Sequence, residues 1–493
     1  MIKKGMVLTA ILLMIVWGLI AYLMPSATTL ISIGVAAVAA IYFLALSIKV
    51  RKLRGKGIQR EPRRTPARRL AFLTILYLIL PFFLSGVLIF YGIFNIILTV
   101  VLVGFTLTFF SNFLFMPLAL YHKHLESKIW GGPPRHHPSL SIIVPAYNEE
   151  KCIERTIESL LEADYPKKEI IIVDDGSTDR TYEIAGRYFE RGVKVLSRSH
   201  GGKWAALNYG IFFSKGEIIV TVDADSLIGK HSLTHLIRRF DDPRVKAVCG
   251  NVKVLNRGNF LTRCQALEYI TAINMYRRAL DVFGSVEVVP GVLGAYRREV
   301  LVGGGSFSGD TLTEDFDVTV KTLKAGSIVQ ASSHAYAYTE APETLRDLYK
   351  QRLRWYRGNF QTLIRHRDAF LNPGYGFLHK LAFPYVMLSM TFFPFAGIVT
   401  MASTLMAILS GAVMEVALIF TSFVALQFLF SALAIQLDEE DIRLAVYAPF
   451  FVVGYKQLCD LIMIKSLFDV LLKRKMGWGR AKRMGARAPP RAP

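Results

Sequence analysis

Apolar stretches bracket one long polar stretch, and this arrangement limits the fold of the 493-residue chain more than any other feature. A helix needs ~20 apolar residues to span the hydrocarbon core of a bilayer. Residues 6–24, 27–48, 70–91 and 93–120 meet that length, and 381–437 is long enough for two crossings. The stretch 444–472 is also long, but it carries Lys456, Asp460 and Lys465. With 52% hydrophobic residues overall, the pattern predicts a membrane protein with a soluble insert. The first stretch has no small-residue cleavage site and is followed at once by another span, so it is expected to stay as a helix.

Basic residues orient the chain. The net charge is +21, and the excess gathers at 49–69 and in the tail from Lys473. Lys3, Lys4 and the 49–69 block predict that the N-terminus and this loop are cytoplasmic, so four crossings return the chain to the cytoplasm near Tyr121. Both blocks abut apolar spans, where anionic membrane lipids are the expected partners. The polar stretch has no basic face interleaved with aromatics, which argues against a nucleic-acid partner. Three crossings after the insert would leave the basic tail outside, so 444–472, with Pro449 and Gly454, is expected to be a re-entrant or channel-lining element. The predicted organisation is four helices over 1–120, a cytoplasmic α/β domain over 121–344, an amphipathic interface segment over 345–375, a membrane or channel region over 376–472, and a basic tail over 473–493. The tail, rich in Pro, Ala and Arg, is not expected to fold alone. Cys152, Cys249, Cys264 and Cys459 are widely spaced and read as free buried thiols.

Within the insert, Ser141-Ile-Ile-Val-Pro, Ile170-Ile-Ile-Val-Asp, Val193-Lys-Val-Leu and Ile218-Ile-Val-Thr-Val-Asp are nearly continuous hydrophobic runs, with helical segments at 149–163 and 179–190. They predict a parallel sheet covered on both faces, whose ligands bind beyond the carboxyl ends of the strands. The first run ends in Pro145-Ala-Tyr-Asn-Glu149 and the second in Asp174-Asp-Gly-Ser-Thr-Asp179, either a nucleoside-binding pair of loops or a turn and a helix cap. The fourth ends in Asp223-Ala-Asp225. If the chain turns there, both carboxylates reach one hard cation such as Mg²⁺ or Mn²⁺; otherwise they form a solvated loop. Gly201-Gly-Lys203 opens a helix with free backbone N–H groups and a point charge, which suits a diphosphate. Thr313-Glu-Asp315 offers a carboxylate base. At ~100° per residue, Leu345, Tyr349, Leu353, Tyr356, Phe360 and Leu363 share one helical face, with Gln351, Arg354 and Trp355 roughly opposite. Trp355 then either stacks on a sugar ring or anchors at the membrane interface.

Taken in order, PAYNE, DDGSTD, GGKWAALN, DAD, TEDFD and QRLRW resemble the processive family-2 membrane glycosyltransferases, the cellulose, chitin, hyaluronan and poly-β-1,6-N-acetylglucosamine synthases. The resemblance covers about 139–367, and AVCGNVKV, VVPGVLGAYRR and TLTEDFDVT look closest to the poly-N-acetylglucosamine branch. It implies a GT-A (Rossmann-like) α/β cytoplasmic domain inserted between transmembrane helices of a multi-pass cell-membrane protein. It further implies an inverting β-hexosyltransferase that extends a polysaccharide from a UDP-sugar, UDP-GlcNAc favoured, with coupled export. By motif, Tyr147, Glu149 and Asp175 would hold the nucleoside, Lys203 and Asp223 the diphosphate sugar, and Asp225 the metal. Asp315 would be the base, Gly291 and Gly294 would lie beside the acceptor, and Gln351, Arg354 and Trp355 would line the mouth of a polymer channel. Four N-terminal crossings follow the cellulose-synthase plan, whereas the closer motif match usually has fewer. A non-processive transferase acting on a membrane lipid is the alternative. A silent scaffold or transporter is disfavoured because every acidic motif is retained. The sugar, the linkage and the oligomeric state are not legible.

Overall fold

The computed structural model describes residues 96–129, 136–303 and 306–474. The expected spans at 6–24, 27–48 and 70–91, the basic loop 49–69 and the tail beyond 474 lie outside the described residues. The first described element, α1 (Ile96–Ile129), begins within the expected 93–120 span and continues nine residues past it. Its last turns are polar, and His122 and Glu126 are buried against the α/β domain.

That domain is built on one eight-stranded sheet of order β3-β2-β1-β4-β7-β6-β8-β5. Its parallel half contains β1 (Leu140–Ala146), β2 (Lys168–Asp174), β3 (Val193–Ser197) and β4 (Ile218–Thr221). Successive side chains of a strand point to opposite faces. Ile142 and Val144 therefore enter a core with Ile153, Ile157 and Leu160 of α2 (Ile153–Glu162), whereas Ile143 and Val173 enter a second core with Ala206, Leu207 and Ile211. Burial on both faces is why these runs are apolar throughout. The helix expected at 179–190 shortens to α3 (Thr181–Gly186) and a 3₁₀ turn. The second core is closed by α4 (Lys203–Phe213).

Beyond β4, past the runs expected to be parallel, the sheet becomes mixed. There β7 (Gly294–Arg297) runs antiparallel to both β4 and β6 (Val245–Val254), while β8 (Ile328–Thr339) runs parallel to β6. The strand after Asp225, β5 (Ser226–Ile228), pairs antiparallel with β8 at the far edge of the sheet. The chain must leave the β4 line immediately after Thr221, so Asp223-Ala-Asp225 forms the bend rather than a continuing strand. Ser226 N–H closes it by donating to the Asp223 carbonyl at 3.0 Å.

Helices α5 (Ser232–Ile237), α6 (Phe260–Glu268), α7 (Met275–Asp281), α8 (Arg298–Gly303) and α9 (Glu314–Lys324) complete the domain, followed by α10 (Leu345–Arg365). Among the described residues, two helices are long and apolar enough to cross a membrane: Leu378–Leu409, with mean hydropathy 1.9, and Val413–Leu437, with 2.2. We label the final part of the first α11 (Phe392–Leu409) and the second α12. Aromatic pairs join α1 to α12, Phe105 to Phe423 at 5.0 Å and Phe109 to Phe430 at 6.0 Å. The segment expected to be re-entrant contains a 3₁₀ helix, Ile442–Phe451, and then α13 (Tyr455–Leu471). Its charges are paired at i,i+4, Lys456 with Asp460 at 2.5 Å and Lys465 with Asp469 at 2.6 Å. α13 lies along α10, and Arg357 Nε of α10 donates to Asp469 at 3.1 Å.

Candidate active site

The ends of the parallel strands are bound to one another. Thr178 N–H donates to the Asn148 side-chain oxygen at 2.8 Å, Asn148 N–H to Ser177 Oγ at 2.9 Å and Glu149 N–H to Thr181 Oγ1 at 2.7 Å. Asn148 has φ +54°, a left-handed turn that asparagine tolerates. The PAYNE and DDGSTD loops thus form one surface, with the Tyr147 ring stacked on His200 at 4.3 Å.

Asp175 joins this surface to the glycine loop. Its carboxylate accepts from Gly201 N–H at 3.1 Å and Gly202 N–H at 2.7 Å, with Arg198 Nη1 at 3.2 Å and His200 Nδ1 at 3.0 Å. This corrects the expectation that those two glycines keep their N–H groups free for a ligand. The carboxylate takes them because Gly202, at φ +91°, turns the chain back toward β2. Arg198 and His200 were not singled out in the sequence, although both stand in the polar run before the glycines.

Lys203, the first residue of α4, is the hub of the site. Its amine lies 2.6 Å from Asp223 Oδ1 and 3.1 Å from Glu314 Oε1. The surrounding carboxylates raise its pKa despite burial. Glu314 and Asp315 open α9, and Phe316 N–H donates to Asp315 Oδ1 at 2.8 Å. Burial, then the adjacent Glu314 charge, push the Asp315 carboxyl up to about 6, with Lys203 opposing them. Glu314 was legible only as a neighbour within TEDFD. Asp317, two residues on, faces away and is held by Lys321 at 2.6 Å and His366 at 2.9 Å.

Asp225 is buried at 6% exposure, and Ser226 Oγ lies 3.2 Å from its Oδ1. Among the described residues no group of three or more His, Cys, Asp or Glu is arranged to hold a metal. The donors at the bend are carboxylate oxygens beside a second acidic pair on α9. This hard-oxygen set fits Mg²⁺ or Mn²⁺ bound through one or two carboxylates plus substrate phosphates.

Gly291 lies against this cluster: a Cβ there would strike the Lys203 amine and sit 2.9 Å from Asp223 Oδ1. Gly294 instead begins β7, where a Cβ would press on Val289 and Thr221 within the sheet. A cavity of about 530 Å³ is lined by half-exposed Trp204 with Asn208, Ser308, Asp310 and Lys321.

The amphipathic division expected along 345–363 is corrected. Leu345 is 62% exposed and Tyr349 36%, whereas Gln351 and Arg352 are buried with Leu348, Phe360 and Leu363. Arg354 and Trp355 are half-buried. The helix is covered on more than one side, by α13, by α6 and by the second core, so a single apolar stripe does not describe its packing.

This sheet defines a GT-A-like α/β fold. Residues 141–303 match the family described as Glycosyl transferase family 2. The chain is 32% identical over 229 residues to the poly-beta-1,6-N-acetyl-D-glucosamine synthase of Staphylococcus aureus strain COL, covering 46% of this chain and 56% of that one. It is 31% identical to the Staphylococcus epidermidis synthase of the same name over the same shares. The chain therefore spans about half the length of the curated relatives it matches. Among solved structures it resembles the mannosyltransferase PcManGT of Pyrobaculum calidifontis, in complex with GDP-Man and Mn2+. The TM-score is 0.53 at 21% identity, over 77% of this chain and all of that one, a likeness of fold.

Proposed function

We propose that this chain is a membrane-embedded, inverting hexosyltransferase that extends a β-linked polysaccharide from a UDP-sugar, UDP-GlcNAc being favoured by the staphylococcal relatives. The observation that carries the reading is the Lys203 amine shared between Asp223 at the strand bend and Glu314 at the head of α9, with half-buried Asp315 beside it. Nucleoside-facing loops, a cationic hub for a diphosphate and an acidic residue of raised pKa lie side by side.

Tyr147, Glu149 and Asp175 shape the nucleoside surface, Asp175 by ordering the glycine loop as well as by its own charge. Lys203 turns from its carboxylates to the diphosphate. A divalent ion held by Asp225 with Asp223 would neutralise charge on the departing diphosphate. Asp315 takes the proton of the acceptor hydroxyl as that oxygen attacks the anomeric carbon, and the bond to the diphosphate breaks on the opposite face. A carboxyl with a pKa of about 6 is mostly ionised at neutral pH and remains a better proton acceptor than an ordinary aspartate. Gly291 lets the acceptor approach this cluster, and Gln351, Arg354 and Trp355 form its mouth. The two long apolar helices and the basic blocks beside apolar spans support a multi-pass membrane location with the domain in the cytoplasm. The organisation over 1–120, 121–344, 345–375 and 376–472, and export of the product, belong to the same proposal.

The test is to incubate membranes containing the protein with labelled UDP-sugars and Mg²⁺ or Mn²⁺, then to size the product before and after specific glycanase digestion. A glycanase-sensitive polymer is expected; a singly glycosylated lipid would replace this reading with the lipid-transferase one. In the same assay Trp355→Ala should sharply lower polymer synthesis while UDP affinity by calorimetry holds, because the lost ring contact, ~1 kcal/mol, misaligns the acceptor rather than the donor.

A further inference from the structure

The second residue of QRLRW carries no role in the motif reading, yet it is among the most completely buried cations in the described chain. Arg352 is 2% exposed. It stands three residues before Trp355 on α10, a spacing that puts both side chains on one side of the helix. Its guanidinium carbon lies 4.5 Å from the centre of the Trp355 ring. One edge of the same guanidinium is occupied: Nη2 donates to Glu268 Oε2 at 2.7 Å. Glu268 is the last residue of α6, and the same oxygen accepts from the Tyr455 hydroxyl at 2.6 Å. Tyr455 in turn is the first residue of α13. Leu348, Cys264, Tyr455 and Cys459 pack as an apolar cluster beside these contacts. Excluding water there strengthens both the ion pair and the cation–π contact.

We infer that Arg352 is a positioning residue for Trp355: its face holds the indole plane, and its edge is fixed by Glu268, which α13 fixes through Tyr455. The planar guanidinium suits this task because it can stack and hydrogen-bond at once, which an ammonium cannot. The last described helix thereby sets the orientation of the ring at the active-site mouth, although α13 itself stands remote in sequence from every candidate catalytic motif. A buried ion pair that only ties helices together would show the same distances, so the test must read the acceptor. The inference rests on the proposed role of Trp355 in seating the acceptor sugar.

The experiment uses the full chain in lipid nanodiscs, UDP-GlcNAc as donor and a β-1,6-linked N-acetylglucosamine tetrasaccharide as primer. Primer KM, kcat and UDP affinity are measured for Arg352→Met, Arg352→Lys, Tyr455→Phe, Trp355→Ala and the Arg352→Met/Trp355→Ala double variant. Arg352→Met should raise primer KM about tenfold, the scale of a lost desolvated cation–π contact, with UDP affinity unchanged. In the Trp355→Ala background the same change should add less than about twofold, because coupled residues are non-additive. Arg352→Lys keeps the charge and guards against loss of folding; it should raise KM about threefold, and Tyr455→Phe about twofold. An equal penalty with and without Trp355, an unchanged primer KM, or a parallel loss of UDP affinity overturns the inference alone. A primer KM unmoved by Trp355→Ala overturns the Trp355 reading and this inference with it.

Discussion

Asp315 stands where a carboxylate is costly to ionise and effective once ionised. Burial and the neighbouring Glu314 charge raise its pKa to about 6, and Lys203 limits the rise. Asp315→Asn is therefore expected to cut transfer by ~10²-fold or more, the scale of a lost general base, while UDP binding persists in calorimetry. The rate of the wild type should rise with pH through about 6 and level above it, because only the ionised carboxylate accepts the proton. The stability consequence has the opposite sign. The folded pKa exceeds the ordinary 3.8, so the folded state loses stability as pH climbs from there to about 6. The Asn variant should melt higher than wild type at neutral pH in EDTA, with the difference narrowing as pH falls through that window. At the bend, Asp225→Ala or EDTA should abolish transfer in the labelled-donor assay, since Lys203 alone leaves the diphosphate charge incompletely neutralised. The residue types at these positions were legible because each motif carries its own chemistry. The partners were not: Arg198, His200, Glu314 and Arg352 acquire their roles only from what they touch.

At the scale of elements, α9 and α10 are fitted together by Asp317, which has no exposed surface. His366 Nε2 lies 2.9 Å from its Oδ1, Lys321 2.6 Å from its Oδ2, and Arg365 Nε 3.3 Å from its Oδ1. The His366 ring and the Arg365 side chain come from the C-terminal end of α10, whereas Asp317 follows the candidate base by two residues. His366→Ala should destabilise the protein by about 1–3 kcal/mol, the range for depriving a buried acceptor of a partner, measured by denaturant titration in detergent. Helical periodicity identified α10 as a helix, but it assigned one side to the interior where the structure covers more than one. Arg352 and Gln351 are polar residues buried through ion pairing and the packing of α6 and α13, an outcome that hydrophobicity counts as improbable.

Over the whole molecule, the apolar helices enter the α/β domain through buried ionic sockets. Asp438, just past α12, accepts from Asn251 Nδ2 at 2.7 Å and Arg278 Nη2 at 2.8 Å, and its carbonyl accepts from Lys253 at 3.1 Å. Next to this socket, α1 contributes His122, 2.6 Å from Asp281, and Glu126, 2.7 Å from Arg239. Such contacts fix β6 and α7 relative to the long apolar helices. Asp438→Ala should cost about 3–5 kcal/mol, because it leaves Arg278 buried without its carboxylate; thermal unfolding of the purified full chain would measure the loss.

Periodicity and composition alone determined the apolar spans from 93 onward that the structure describes, the four parallel strands and the acidic loops at their ends. These are local properties: a run of apolar residues or a turn of acids carries its meaning within a few positions. The antiparallel half of the sheet, the covered sides of α10 and the sharing of Lys203 between Asp223 and Glu314 were decided by the tertiary structure. Each requires choosing one partner among many of like charge or polarity, as when Glu268 meets both Arg352 and Tyr455. That choice is made by burial and geometry when distant segments close together, and no pattern along the chain records it.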